Sequence, residues 1–170
     1  MKWMIRMMLV VVALAVTTGS AGAGERFKKL DVQGNELGDD AAAWAMVLDS
    51  KSGMYWEVKT VDDTIHSNAA KYSYNAASEE FIAKLNEEKY GGFSDWRLPS
   101  IDELAVLRVN KKGDEAKINL EYFPNTLPSR YIGHSWCGSK SEYQEGTVKF
   151  GKDRPQDGKY VRAVRGKPLE

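Results

Sequence analysis

Residues 91–104 read Gly-Gly-Phe-Ser-Asp-Trp-Arg-Leu-Pro-Ser-Ile-Asp-Glu-Leu, and they constrain the fold more than any other part of the chain. Paired glycines adopt the left-handed conformation that closes a helix. Pro99 fixes its own φ and pushes Leu98 out of the helical region, so 96–98 is expected as a short strand. Ser100 followed by Glu103 has the spacing of a capping box. The serine hydroxyl accepts from the Glu103 amide, and the Glu103 carboxylate accepts from the Ser100 amide. Ile101, Leu104 and Leu107 then fall on one helical face. The stretch therefore encodes a helix stop, a turn, a strand and a helix start within fourteen residues. Asp95, Arg97 and Glu103 are also the residue types of an acid, an anchor and a base. Charges beside structural turns more often form ion pairs or caps, so Asp95, Trp96, Arg97, Leu98, Pro99 and Glu103 are read as scaffold.

Upstream, residues 75–92 carry a helical pattern: Ala77, Phe81, Ile82 and Leu85 mark one face, acids come early and Lys89 late. Residues 44–49 and 54–59 are short aromatic and β-branched runs separated by Ser-Lys-Ser-Gly, a hairpin signal. Residues 128–140, 146–153 and 159–166 read as further antiparallel strands. In the last of these, Val161, Ala163 and Arg165 alternate with Tyr160, Arg162 and Val164, so neither face is cleanly apolar. A centrally paired strand whose partly buried arginines meet carboxylates accounts for that pattern.

At the N-terminus, Lys2 and Arg6 precede and enter an apolar stretch in which 7–16 is unbroken, and small residues follow up to Ala21-Gly22-Ala23. This is the layout of a secretory signal peptide, with cleavage expected after Ala23 and delivery to the periplasm or beyond. Ten apolar residues fall short of the roughly 20 that span a bilayer, so no permanent membrane anchor is expected. Removing 1–23 leaves 147 residues with 22 basic and 24 acidic side chains, enough for one domain with a real core. That balance gives no global bias towards nucleic acid. The remaining chain divides into a polar lead-in, 24–43, with little regular structure expected; an aromatic-dense domain, 44–166; and a tail, 167–170.

Chemical motifs are sparse. Cys137 is the one cysteine, so an internal disulfide and a cysteine-rich zinc site are excluded. It reads as a small buried thiol, with a reactive thiol or an intermolecular bridge as the alternatives. His66 and His134 are the only histidines, and His134 with Cys137 is too small a set for a metal. No phosphate-cradling glycine loop or nucleophile elbow is present. No cofactor is expected. Trp44, Trp56, Trp96 and Trp136 suit sugar stacking in type, but a domain of this size needs most of them in its core. Basic residues recur late in the chain, interspersed with acids.

Taken together, the opening at 53–59, the segment ending at Leu104, Glu-Tyr-Phe-Pro-Asn-Thr at 121–126, the aromatic strand with Trp136 and the closing Tyr-Val-Arg-Ala-Val-Arg-Gly at 160–166 resemble the Lcl C-terminal domain family. Trp56, Arg162 and Arg165 belong to these elements. The resemblance implies an α+β, C-type-lectin-like fold: two helices packed on a small irregular antiparallel sheet with long loops. It also implies an exported, non-enzymatic binding module. The expected partner is an envelope or extracellular one, a polyanionic glycan or an envelope protein, as in adhesion. On that reading Arg130, Lys140, Lys149, Lys152 and Arg154 are the candidate ligand-binding residues. A structural or accessory subunit of an envelope assembly is the alternative, and a hydrolase built on Asp95, Glu103 or the His134/Cys137 region is a third.

Overall fold

The structure, a computed structural model, describes residues 26–110, 112–113, 115–136, 143–149 and 159–169. Among the described residues, six strands form two antiparallel sheets. β1 (Phe27–Leu30), β2 (Met46–Asp49), β3 (Met54–Glu57) and β6 (Val164–Arg165) form one, in the order β1-β2-β3-β6; β4 (Arg130–Trp136) and β5 (Tyr143–Lys149) form the other. The β2–β3 hairpin closes through 50–53 with Met46 opposite Glu57 and Asp49 opposite Met54. Gly53 supplies the positive φ, +72°, that the turn requires.

β1 corrects the expectation of a lead-in with little regular structure. Phe27–Leu30 pairs with β2 along its whole length. The pattern was hidden because Lys28 and Lys29 interrupt the apolar positions. Lys29 is nonetheless buried, its ammonium donating to the carbonyls of Asp39 (2.6 Å) and Ala41 (3.2 Å) and lying 4.0 Å from the centre of the Trp44 ring. Its aliphatic stem packs as an apolar residue would.

Helical structure runs through α1 (Tyr74–Ala76), a π-helical stretch (Ala77–Ile82) and α2 (Ala83–Glu87). Ser73 caps the start by accepting from the Ala76 amide. The wider π turn sets Phe81 and Ile82, four and five residues after Ala77, against the sheet together; all three are buried, as is Leu85. The helix stops earlier than the paired glycines suggest. Lys89 takes the left-handed conformation at φ 50°, and Tyr90–Gly92 forms a single 3-10 turn. α3 (Ile101–Ala105) begins on the capping box, with both reciprocal hydrogen bonds present.

Two other expectations need correcting. Residues 96–98 do not form a strand; Arg97 alone makes a bridge with Val164. The last strand is also shorter than 159–166, because the chain pairs with β4 at Tyr160 and crosses to β3 only at Val164 and Arg165. Two partners on different sheets cannot both be satisfied by one straight ladder.

The four-stranded sheet is covered on both faces, which explains why its strands do not alternate cleanly. One face carries Phe27, Val47, Met54, Trp56 and Val58 against Leu104, Ile118, Phe123 and Tyr131. The other carries Leu30 and Met46 against Phe81, Leu85 and Trp96. α3 packs so closely on β4 that a Cβ on Gly133 would stand 3.0 Å from Leu104 Cδ1 and 3.2 Å from the Pro99 carbonyl oxygen.

Candidate binding surface

The residues of the 91–104 stretch are tied inward. Trp96 is 2% exposed; its indole donates to the Tyr90 carbonyl (2.8 Å), while its backbone exchanges two hydrogen bonds with the Asn86 amide. Arg97 grips Glu103 with two bonds of 2.7 Å. The Glu103 carboxylate also accepts from the amides of Ser100 and Leu169, so all its contacts are internal to the fold. Burial pushes that carboxyl up, but Arg97 and the Ser100 amide outweigh it and hold it below the ordinary range. Asp95 pairs with Arg165 at 2.7 and 3.2 Å and is lowered by that contact. The Arg165 guanidinium lies against a pair of adjoining rings, Phe93 (3.7 Å to the ring centre) and Tyr55 (4.7 Å). Leu98 is buried, and Pro99 presents its carbonyl to Gly133.

Beneath β3 lies a buried charge cluster. Glu57 Oε1 accepts from Lys59 Nζ (2.9 Å) and meets His66 Nδ1 (3.0 Å), while Oε2 accepts from the Ala163 amide (3.1 Å). Burial raises the Glu57 carboxyl, yet Lys59 and His66 prevail and lower it. At Lys59 burial wins over its partner, and the ammonium is lowered too. Of the two closing arginines expected to meet carboxylates, Arg165 does so through Asp95 and Arg162 does not. Arg162 is fully buried and donates to the Glu57 backbone carbonyl and to Thr126 Oγ1 (2.7 Å), with Phe123 5.1 Å from its carbon centre. Trp56, also fully buried, lies in the same core.

Cationic positions from four segments converge around Tyr160. Its amide donates to the Arg130 carbonyl (2.9 Å), and its own carbonyl accepts from the Ile132 amide (2.7 Å). The β4–β5 register puts Lys149 opposite Arg130. Lys159 precedes Tyr160 and accepts the Tyr72 amide on its carbonyl (3.1 Å), and the exposed Lys71 ammonium stands 5.5 Å from the Tyr160 ring centre. Arg130 and Lys159 have further interactions of their own.

Of the residues singled out in the sequence, Arg130 and Lys149 are therefore brought together. Lys140, Lys152, Arg154 and Cys137 lie outside the described residues. Trp136 and His134 are described as strand positions, opposite Tyr143 and Glu145. Lys71 and Lys159 were missed, and no local signal marks them: Lys71 comes to the Tyr160 ring, and Lys159 adjoins Tyr160, whose backbone pairs with β4. Among the described residues, no three His, Cys, Asp or Glu side chains group as a metal site would require.

Comparison with curated proteins and with solved structures finds no match. The family model for the Lcl C-terminal domain matches residues 45–165, from the first residue before β2 to the last of β6. The chain belongs to the Lcl C-terminal domain family.

Proposed function

We propose that this protein is an exported, non-enzymatic binding module of C-type-lectin-like fold that recognises a polyanion, such as a sulfated glycan of an extracellular surface. The site is the cationic rim of Lys71, Arg130, Lys149 and Lys159. The observation that carries the reading is the register that sets Arg130 opposite Lys149. Like charges directly across a ladder destabilise it, and a bound anion turns that repulsion into attraction. Lys71 and Lys159 add charge within the same neighbourhood. The polyanion would be held by charge rather than by a deep pocket, so its affinity falls as salt shortens the Debye length.

The finer fold assignment draws support from the placement of the ends. β1 and β6 are the two edges of the same sheet, and Arg26 and Gly166 both lie by the 49–54 turn.

Heparin-affinity chromatography of the purified protein tests the function. Retention at low salt is expected, with elution at lower salt for the Lys71→Ala, Lys149→Ala double variant and an unchanged melting temperature. Flow-through of protein shown to be folded by circular dichroism overturns the reading and puts the envelope-subunit alternative in front.

A further inference from the structure

His66 is held along one edge of its ring. Nδ1 meets Oε1 of the fully buried Glu57 at 3.0 Å, and the imidazole stacks on the Tyr90 ring with centres 4.3 Å apart. An ionised carboxylate can only accept, so in the neutral imidazole Nδ1 carries the proton and Nε2 keeps its lone pair. Among the described residues nothing donates to Nε2, and the side chain keeps 15% of its surface open. The Tyr90 hydroxyl does not serve it, being committed to the Ala45 carbonyl (2.7 Å).

The same imidazole lines a concavity of about 390 Å³, a size suited to a small ligand. Val32, Trp44, Ala45 and Val58 give it apolar walls. Its other polar groups are already engaged or cancel. The Thr60 hydroxyl donates to Asp62 (2.7 Å), and Glu88, 3.5 Å from Lys84, is followed by the opposite charge of Lys89. The Lys29 ammonium stands 4.0 Å from the centre of the Trp44 ring, and an indole that already holds one cation is a poor seat for a second. A ligand matched to these walls is therefore uncharged, apolar over most of its surface, and carries one hydrogen-bond donor for Nε2.

We infer that this concavity binds a small ligand bearing a phenol: its aromatic ring lies against Trp44 and Val58, and its hydroxyl donates to His66 Nε2. An aromatic ring packs on an indole with more than its buried area, and a phenolic hydroxyl is a stronger donor than an aliphatic one. Glu57 is the positioning residue, because its carboxylate fixes the tautomer that leaves Nε2 free to accept. The site shares no residue with the cationic rim, so it stands or falls independently of the polyanion reading.

The test is an NMR titration of the purified protein at about pH 8, above the ordinary imidazole range. The ligands are p-cresol and its methyl ether, 4-methylanisole, which has the ring but no donor. Before titration the ring nitrogens of His66 should report the proton on Nδ1. Expected are saturable binding of p-cresol that moves the His66 Nε2 signal, and binding of the ether about fivefold weaker. His66→Ala should erase the preference between the two. Val32→Asp, at an exposed lip of the concavity, should weaken both without touching the interior, while the Lys71→Ala, Lys149→Ala variant should bind as the parent does. N-acetyltyrosinamide separates the sources of the phenol: binding at least as tight as that of p-cresol assigns the ring to a peptide, and weaker binding assigns it to a free phenol. No saturation by about 10 mM p-cresol, equal binding of the ether, a His66 proton found on Nε2, or binding that leaves the His66 signals unmoved overturns the inference.

Discussion

Glu57 is the residue on which the interior charge balance turns. Its carboxylate faces Lys59 and His66, and its carbonyl takes the Arg162 guanidinium. Glu57→Gln would keep the shape but leave Lys59 and Arg162 buried with no carboxylate nearby, at a cost of about 3–5 kcal/mol. The pH dependence has a definite sign. The folded carboxyl lies below its ordinary value of 4.5, so its contribution is fully present above that value and is lost as pH falls through the folded one. Urea melts from neutral to acid pH should show the gap between parent and Glu57→Gln closing on the acid side; a gap that stays constant refutes the assignment. Trp96 offers a second residue-scale test. Nearly all of its surface is buried and its indole is bonded to Tyr90, so Trp96→Ala should cost about 3–5 kcal/mol in a denaturant melt. An unchanged midpoint would mean that the side chain does not anchor this region.

Among the elements, α3 is short and depends on its two ends. Ser100 satisfies the Glu103 amide, and Ser100→Ala should lower stability by about 1 kcal/mol. Glu103 serves the cap, the Arg97 clamp and the Leu169 amide at once, so the cap is coupled to the C-terminal segment. Gly133 governs how α3 seats on β4. A methyl group there meets Leu104 and two backbone atoms of the Pro99–Ser100–Ile101 turn, and that turn is held by the cap. Gly133→Ala should therefore destabilise by about 1–3 kcal/mol through overpacking, measured in the same melts. An unaffected midpoint would show that the turn yields more readily than its hydrogen bonds imply.

For the whole molecule, the proposed export makes a prediction that needs no ligand. Intact-mass analysis of protein recovered from the cell envelope should give a chain beginning at Gly24. A full-length chain held in the cytoplasm would remove the extracellular partner from consideration. The same scale shows how a chain with nearly balanced charge can still gather one sign locally, as proposed for the rim around Tyr160, where the register sets Arg130 opposite Lys149. Net charge is a sum over the surface, and it is silent about how folding sorts that surface.

Local chemistry was enough to place the β2–β3 hairpin, the α3 capping box and the apolar face of the first helical run, because turns, caps and periodicity involve neighbours within a few residues. Family membership was legible for the same reason, since its motifs are short and contiguous. β1 was not legible: Lys28 and Lys29 break the pattern of a buried strand, and only the carbonyls of Asp39 and Ala41 make a buried lysine tolerable there. Nor could the role of Arg162 be read, because its acceptors lie on β3 and at Thr126. The candidate sites followed the same division. Arg130 and Lys149 stand out in sequence as late basic residues, but their register, and the approach of Lys71 and Lys159 to Tyr160, arise from pairings between distant segments. Residue types and local geometry were set by the sequence alone, whereas the company each charge keeps was decided by tertiary structure, because electrostatic neighbours are chosen by distance in space.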